Sequence, residues 1–141
     1  MPHTPARDAA YFNRIGVDHL PGYLGVVVTE VAEGLLKAEL TVRQQLIAPN
    51  GYLHAGTVVS LADTAAGYAC LANLPEGAES FTTIELKTNF LGTAREGTIR
   101  CEARALHRGR TTQIWDVSVI DPRGKPIAAF RCTQLIIYPK K

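Results

Sequence analysis

Residues 55–72 read AGTVVSLADTAAGYACLA, and this stretch decides the fold class. Almost every position is small or apolar, and a run of this length favours a helix over a strand. Because apolar residues occur on nearly every side, the helix is predicted to be buried all round. A helix buried in that way needs other elements wrapped around it, and the segments on both sides are typical of strands.

Before this helix, residues 35–43 (LLKAELTVR) alternate apolar and polar side chains with a period of two, which indicates a half-buried strand. Residues 25–32 (GVVVTEVA) are predicted to form a preceding strand, and the turn at Glu33-Gly34 makes the pair a hairpin. The segment 44–54 contains proline and glycine and is predicted to be a loop.

After the helix, four strand-like runs follow, separated by glycine and proline turn signals; they span residues 81–91, 98–106, 111–121 and 126–138. At the start of the chain, apolar residues at helical spacing predict a short helix within 7–20 that ends before Pro21. The chain is therefore predicted to be one domain over residues 1–141, with 1–24 as an N-terminal helical segment.

This element order indicates an α+β fold in which a curved antiparallel sheet of five or six strands wraps one long buried helix. A single sheet of this kind has a second face and open edges. Oligomerisation would cover both.

Composition excludes several classes of function. The net charge is only +2, from 15 basic and 13 acidic side chains, and no basic cluster precedes the terminal lysines, so no nucleic-acid partner is expected. No apolar run reaches the ~18 residues of a membrane span, so no membrane partner is expected and the chain is predicted to be cytoplasmic. Cys70, Cys101 and Cys132 lie in apolar segments without metal-ligand spacing, which predicts buried reduced thiols and no metal site.

Asp63 is the anomaly of the helix, because it is the only formally charged residue between Arg43 and Glu76. Burying a lone carboxylate costs several kcal/mol unless it is paired or neutralised. Such groups are often functional, since burial also shifts the pKa. The alternatives are a later helix start, or a thin polar stripe on which Asp63 faces solvent beside Ser60 and Thr64.

The second candidate feature is the junction NGYLHAGT at residues 50–57. Backbone amides in the first turn of a helix have no partner inside the helix, and the dipole makes that end positive. Ala55 and Gly56 are small enough for a substrate oxygen to approach their amides, which would form an oxyanion hole. The alternative is that the glycines only permit a turn.

The spacing of the two features has a consequence for assembly. Ala55 and Asp63 are eight residues apart, and at ~1.5 Å rise per residue they are separated by roughly 12 Å along the helix. A nucleophile must lie near ~3 Å from the carbon whose oxygen the amides hold. If both features are catalytic, the carboxylate must come from a second copy, which predicts a dimer with antiparallel helices and two composite sites.

The run HAGTVVSLADTAAGYA resembles the helix motif of the phenylacetate-degradation and 4-hydroxybenzoyl-CoA thioesterases, which usually read His-Gly-Gly, several residues, then Leu-Ala-Asp-x-Ala. ELKTNFLG at 85–92 and the later Arg108-Gly109-Arg110 turn are similar to the second half of that family. The resemblance implies a hotdog fold, assembled as a homodimer at least and as a homotetramer in many members. It also implies hydrolysis of a small aromatic or short to medium acyl-CoA, without metal or cofactor, coenzyme A being part of the substrate.

The resemblance implies roles for individual residues. The Ala55 amide would polarise the thioester carbonyl, Asp63 would act as nucleophile or general base, and His54 would shape the loop. Thr83 matches a position whose hydroxyl assists the attacking water in some members. The family's usual Asn or Gln six residues before the histidine is replaced by Ala48; either Asn50 supplies the same amide group by a loop shift, or that contact is missing.

Substrate-binding positions follow from the same resemblance: Asn89, Phe90, Arg108, Gly109 and Arg110. Arg108 and Arg110 would pair with the phosphates of coenzyme A, or would simply form a hairpin turn. Two other functions remain open. A hotdog hydratase or dehydratase would act on an enoyl-thioester, and a non-catalytic module would bind acyl-CoA without releasing thiol.

Overall fold

The protein is described by a computed structural model over residues 6–141. Within the predicted N-terminal helical segment it contains two helices, α1 (Ala9–Ile15) and α2 (Leu20–Leu24). The predicted helix within 7–20 is present as α1, whereas α2, in which Pro21 is the second residue, was not predicted. Proline is accepted there since the first turn of a helix has no acceptor for its missing N–H. Residues 1–5 of that segment lie outside the described residues.

Six antiparallel strands form one curved sheet in the order β1-β2-β4-β5-β6-β3. Their bounds are β1 (Val27–Ala32), β2 (Leu35–Thr41), β3 (Ser80–Phe90), β4 (Thr98–Arg108), β5 (Thr112–Ile120) and β6 (Pro126–Ile137). The short β1 and the long β3 are the two edges. The α+β prediction with six strands is confirmed.

The long helix α3 (Ala55–Ala72) packs against all six strands. Its inner side consists of small or apolar residues with no exposed surface, among them Leu61, Ala62, Ala65, Ala66 and Ala69. Gly67 shows why small residues are needed, because a Cβ added there would lie 3.0 Å from Cζ of Phe81 on β3.

The prediction that α3 is buried all round was wrong on one side. A stripe of half-buried residues runs along it, formed by Val59, Ser60, Asp63 and Thr64. The six strands do not close around the helix, since the sheet keeps two free edges. This stripe is the feature that places polar residues where a ligand or a second subunit can reach them.

A β-bulge changes which residues of β3 face the helix. The pairing of β3 with β6 shifts between Thr83 and Glu85, so that Ile84 is the extra residue. Beyond the bulge, Leu86, Thr88 and Phe90 lie opposite residues of β6 that are buried in the core, namely Cys132, Phe130 and Ala128. Directly paired residues of neighbouring strands share one face of a sheet, so these three side chains of β3 point to the helix side.

The three cysteines are free and buried, as predicted. Burial raises the pKa of the thiols of Cys70, Cys101 and Cys132 to about 12. A thiol with such a pKa is protonated at neutral pH and is a poor nucleophile. No helix within residues 6–141 is long and apolar enough to cross a membrane.

Candidate active site

The loop before α3 is fastened by hydrogen bonds that set the position of the helix N-terminus. The buried Thr57 hydroxyl donates to the carbonyl of Leu46 at 2.9 Å, and the amide of His54 donates to the same carbonyl at 3.1 Å. The amide of Leu53 donates to Oγ1 of Thr93 at 2.9 Å, which ties the loop to the segment after β3. The first turn of α3 is therefore held rigidly between two parts of the chain.

His54 caps α3 with its side chain. Its Nδ1 accepts the amide N–H of Gly56 at 2.7 Å. A Cβ added at Gly56 would lie 2.9 Å from Nδ1, so glycine is needed for this close approach. The predicted role of His54 as a residue that shapes the loop matches this geometry, in which Nδ1 carries no proton and a neutral ring carries its proton on Nε2.

The capping hydrogen bond engages one of the two amides that were predicted to form an oxyanion hole and leaves the other without an acceptor. The N–H of Gly56 is already engaged by His54. The N–H of Ala55 has no acceptor among residues 6–141, and its position at the positive end of α3 suits a carbonyl oxygen that gains negative charge.

A cavity of about 520 Å³ opens at this helix end. Four of the predicted site residues line it, namely Asn50, His54, Ala55 and Phe90. The rest of the wall is mainly apolar and includes Leu53 and Val58. A cavity of this kind, apolar with a few polar groups, is typical of small-ligand sites.

Asn50 lies in a tight turn at the rim of the cavity. Its Oδ1 accepts the amide of Tyr52 at 3.1 Å, and Gly51 has the positive φ of 90° that the turn requires. The side-chain oxygen thus accepts a hydrogen bond within the turn, while the side-chain nitrogen Nδ2 of Asn50 has no acceptor among residues 6–141. The contact of Asn50 with substrate stays a prediction.

Tyr52 and Arg95 were not singled out from the sequence, yet they lie next to each other, Tyr52 on the wall of this cavity and Arg95 on the wall of a different one. Tyr52 lines the cavity and is 52% exposed, and Cζ of Arg95 lies 5.3 Å from the centre of its ring. Arg95 makes no ion pair with any residue in 6–141. The sequence could have indicated Arg95 by its position in the turn 92–97 between two glycines, because turns at the end of a strand often carry exposed functional groups.

Asp63 lies on the half-buried stripe of α3, so both the buried-carboxylate prediction and the polar-stripe alternative describe part of its setting. Its Oδ1 is buried and has no hydrogen-bond partner among residues 6–141. Burial raises the pKa of the carboxyl group above its usual value. Burial, and after it the negative charge of Asp63, raise the pKa of Cys132 on β6.

Thr83 lies next to the bulge of β3 and is half-buried. Its hydroxyl donates to Oε1 of Gln134 at 2.6 Å, and Gln134 is completely buried. Because the Thr83 hydroxyl donates its hydrogen bond to Gln134, its oxygen can accept a hydrogen bond from another molecule. Sequence reasoning missed Gln134, although the alternation of β6 already assigned it to the inner face with Cys132 and Ile136.

The predicted coenzyme A residues of the β4–β5 turn lie elsewhere. Arg108 donates to Oδ1 of Asn73 and to Oε1 of Glu33, both at 3.1 Å. Asn73 follows the last residue of α3, so Arg108 lies at the opposite end of an 18-residue helix, roughly 27 Å from the cavity at Ala55. Within one subunit, Arg108, Gly109 and Arg110 are therefore not part of this cavity, and a role in substrate binding would require another subunit.

Asn89 and Phe90 are separated by the pleat of β3. Phe90 lines the Ala55 cavity, whereas Asn89 lines a different cavity with Lys87 and the ion-paired Asp116 and Arg131. The substrate-binding role of Asn89 stays a prediction, because within one subunit Asn89 does not line the cavity at Ala55. Among residues 6–141, no cluster of three or more His, Cys, Asp or Glu side chains is arranged to hold a metal ion.

Comparison with known proteins identifies the relatives of this architecture. The model of the Thioesterase superfamily matches residues 50–128. The 1,4-dihydroxy-2-naphthoyl-CoA hydrolase of Escherichia coli K12 is 30% identical over 89% of this chain and 91% of its own length. The acyl-coenzyme A thioesterase PaaI of the same organism is 31% identical over 77% of this chain and 75% of its own length. The solved structure of a mutant form of thioesterase PA1618 from Pseudomonas aeruginosa has a TM-score of 0.89 and 28% identity, covering 97% of both chains. The predicted hotdog fold is confirmed.

Proposed function

The chain belongs to the thioesterase superfamily and is a thioester hydrolase, and we propose that it hydrolyses a small aromatic or short to medium acyl-CoA at a site shared by two subunits. One observation carries the proposal. The same helix bears a free amide at its N-terminus, at Ala55, and a carboxyl oxygen without a partner among residues 6–141, at Asp63. Each group is half of a hydrolytic site.

The two halves are too far apart to meet within one subunit. Eight residues of helix separate them by roughly 12 Å, whereas reacting groups must come within ~3–3.5 Å. An antiparallel pair of α3 helices, with its two-fold axis near Val59, would bring Ala55 of each subunit opposite the carboxyl group at position 63 of the other. This arrangement creates two identical sites.

The β3 edge supports such a dimer. β3 is an 11-residue edge strand, and its free backbone groups can pair with a second strand. Large apolar side chains along and just after it are exposed, namely Ile84 (59%), Leu86 (41%), Phe90 (49%) and Leu91 (59%). Pairing of β3 with its own copy would cover these residues and would align the half-buried stripes of the two α3 helices. A tetramer would be formed from two such dimers, as the resemblance to hotdog thioesterases implies.

The proposed mechanism uses the contacts found around each half-site. The thioester carbonyl oxygen would accept the Ala55 N–H, so that charge developing on the oxygen is stabilised at the helix end. A water molecule would donate one hydrogen bond to the Asp63 carboxylate and one to the Thr83 oxygen, whose own proton is held by Gln134. Asp63 would remove a proton from this water as it attacks, and would return that proton to the sulfur as the C–S bond breaks, so that coenzyme A leaves as the thiol. No resident metal or cofactor is part of the proposal.

Direct attack by Asp63 is the other route to the same products. In that case a mixed anhydride forms, and its hydrolysis in H₂¹⁸O labels the carboxyl group of Asp63 when water attacks the Asp63 carbonyl carbon. Attack of water on the acyl carbon labels only the released acid. Peptide mass spectrometry after many turnovers detects a label on Asp63. An unlabelled Asp63 peptide is expected, and a labelled one would assign the nucleophilic role instead.

Arg95 is proposed to contact the phosphates of coenzyme A. A cavity of about 520 Å³ accommodates an acyl group and the nearby part of the pantetheine arm, so the nucleotide must extend past the rim. Arg95 lies outside the lining of the cavity, beside Tyr52 of its wall. Guanidinium groups suit phosphates because they present paired donors.

The test is a thiol-release screen over aromatic and aliphatic acyl-CoAs, including 1,4-dihydroxy-2-naphthoyl-CoA, which the name of one relative specifies. We expect turnover of at least one of these substrates. Asp63→Asn should lower kcat by at least ~10²-fold while the oligomer stays folded, because a general base is lost. A variant with near-normal turnover would refute the assignment of Asp63, and absence of thiol release from every acyl-CoA would refute the proposed function.

A further inference from the structure

A contact between Gly67 and Phe81 joins α3 to the first part of β3. Gly67 lies within α3, where glycine is less favourable than alanine. A Cβ added at Gly67 would lie 3.0 Å from Cζ of Phe81, so the tip of the Phe81 ring occupies the space of a side chain at position 67. Gly67 is buried under the ring, whereas Phe81 itself is only half-buried. Part of the ring is therefore accessible beside the helix.

This contact lies one step away from the proposed catalytic groups on both elements. Gly67 follows Asp63 by four residues, so it lies on the same face of α3, roughly 6 Å further along the axis. Phe81 precedes Thr83 by two residues, and both pair with buried residues of β6, so both side chains point to the helix side of the sheet. The accessible part of the ring therefore lies beside the half-buried stripe of α3, one helical turn past Asp63.

In the proposed dimer the ring of one subunit faces the cavity of the other. An antiparallel pair of α3 helices with its two-fold axis near Val59 brings position 63 opposite position 55 and, by the same symmetry, position 67 opposite position 51. Position 51 lies between Asn50 and Tyr52, which both line the cavity at Ala55. The cavity is open in one subunit, and Phe81 of the partner subunit would close its far end.

A large, rigid ring at this place limits the length of the acyl group. The reacting carbon lies at Asp63, so the acyl group can extend along α3 for only ~6 Å, four residues of helical rise, before it meets the ring. That length suits a short aliphatic chain or a single aromatic ring, whereas a longer group must displace Phe81. The ring cannot withdraw towards the helix, because its tip already rests on Gly67.

Resting on the proposed function, we propose that Phe81 determines specificity by closing the acyl site of the opposite subunit. The substrate class is then a short-chain or single-ring acyl-CoA, and acyl groups longer than the ~6 Å span are discriminated against. This narrows the substrates of the proposed hydrolase by length, through a residue that lies on the same subunit as the catalytic carboxylate.

The experiment measures kcat/KM for two pairs of thioesters, butanoyl-CoA with decanoyl-CoA and benzoyl-CoA with 2-naphthoyl-CoA. The wild type should prefer the shorter member of each pair that it hydrolyses. Phe81→Ala should raise the long-to-short ratio by at least about tenfold, and Phe81→Leu, which keeps a larger apolar side chain in the core, by less. Gly67→Ala should lower the ratio several-fold, because its Cβ pushes the ring tip away from the helix and into the acyl site. Thr82→Ala, at the exposed position next to Phe81 on the other face of β3, is the matched control and should leave the ratio unchanged.

Hybrid dimers identify the subunit that supplies the ring. An Ala55→Pro subunit, which lacks the N–H of position 55, and an Asp63→Asn subunit form a dimer with one intact site. That site takes its carboxylate from the Ala55→Pro subunit, and Phe81 contacts the helix that carries this carboxylate. Phe81→Ala added to the Ala55→Pro subunit should therefore change the length preference of the hybrid. The same substitution added to the Asp63→Asn subunit should leave the preference at the wild-type value.

Three results would overturn the role of Phe81. The first is a wild type that hydrolyses the longer member of a pair as well as the shorter one. The second is a ratio that Phe81→Ala and Phe81→Leu leave unchanged in dimers shown to be folded by light scattering and thermal melting. The third is a hybrid whose preference follows the ring of the Asp63→Asn subunit.

Failure of the proposed function has a different signature, namely no thiol release by the wild type from any acyl-CoA. Calorimetric Kd values of the same four thioesters keep the role of Phe81 testable in that case. They are measured on Asp63→Asn with and without Phe81→Ala, so that no turnover is needed. Tighter binding of the longer thioesters after Phe81→Ala is expected, and unchanged Kd values would overturn the length limit.

Discussion

Ala55→Pro removes the proposed oxyanion donor while preserving the helix. Ala55 is the first residue of α3, its N–H has no acceptor among residues 6–141, and its side chain is exposed. Proline is favoured at this helical position, because the N–H it lacks is unpaired in any case. The preceding residue also accepts proline, since His54 has φ −62° and ψ 133°, within the extended region that a following proline requires.

The expected effects on stability and rate have opposite signs. A proline at a compatible position stabilises a protein by about 0.4–1 kcal/mol, because the unfolded chain loses freedom. Loss of one oxyanion-hole donor costs about 2.7–4 kcal/mol of transition-state stabilisation, or roughly 10²–10³ in kcat. Ala55→Pro should therefore melt at or slightly above the wild-type temperature and hydrolyse its substrate at least ~10² times more slowly.

The assay is steady-state thiol release with the substrate that the screen selects, together with thermal melting followed by circular dichroism and light scattering for the oligomeric state. Ala55→Val is the matched control, because it adds bulk at the cavity wall and keeps the N–H. If both variants lose activity equally, obstruction of the cavity explains the loss. A folded proline variant with a nearly normal rate would refute the assignment of the Ala55 amide.

Mixing two inactive variants tests whether the site is shared. In a hybrid of an Ala55→Pro subunit and an Asp63→Asn subunit, one of the two sites has both groups intact. Random reassortment makes half of the dimers hybrid, so the mixture should recover about a quarter of the wild-type rate. No recovery after verified subunit exchange would contradict a composite site.

Three further outcomes are expected. Burial raises the pKa of Asp63 above its ordinary value of 3.8, so the charged form destabilises the fold and wild-type stability falls as pH rises through the raised pKa. Asp63→Asn should accordingly raise the Tm at pH 7, and melting curves should show the gain vanishing as the pH falls towards 3.8. In steady-state assays, Thr83→Val should lower kcat by roughly tenfold with little change in KM. Thr83→Ser keeps the hydroxyl and should keep most of the activity. An equal loss of activity in both variants would indicate an effect on packing and not on the hydroxyl. Arg95→Gln should raise KM several-fold for an acyl-CoA. It should leave KM unchanged for the same acyl group on N-acetylcysteamine, which has no phosphate. A rise of KM for both thioesters, or an equal effect of the control variant Arg104→Gln, would contradict phosphate contact.

Much of the fold was predictable because it depends on local patterns. The apolar run 55–72 and the alternating strands are properties of consecutive residues, and helix and strand bounds follow from them within a few positions. The helix α2 was missed because Pro21 was interpreted only as the end of a helix, although proline is also accepted in the first turn of one.

The candidate site was predictable only in part. Asp63 stood out as a lone charge in an apolar run, and His54 and Ala55 stood out by their place at the helix start. Gln134 did not stand out, because its importance depends on its pairing with Thr83 across β3 and β6.

The sequence by itself determined that one apolar helix is wrapped by a sheet, and that its amide end and its carboxylate are too far apart to meet in one chain. Both results follow from residue order and helical rise, which no packing can change. Only the tertiary structure decided that Arg95 lies beside Tyr52 of the cavity wall, and that Arg108 binds Asn73 and Glu33 at the far end of α3. Those contacts join residues from separate elements, and a shift of one residue in strand register would have turned each side chain of β3 to the opposite face.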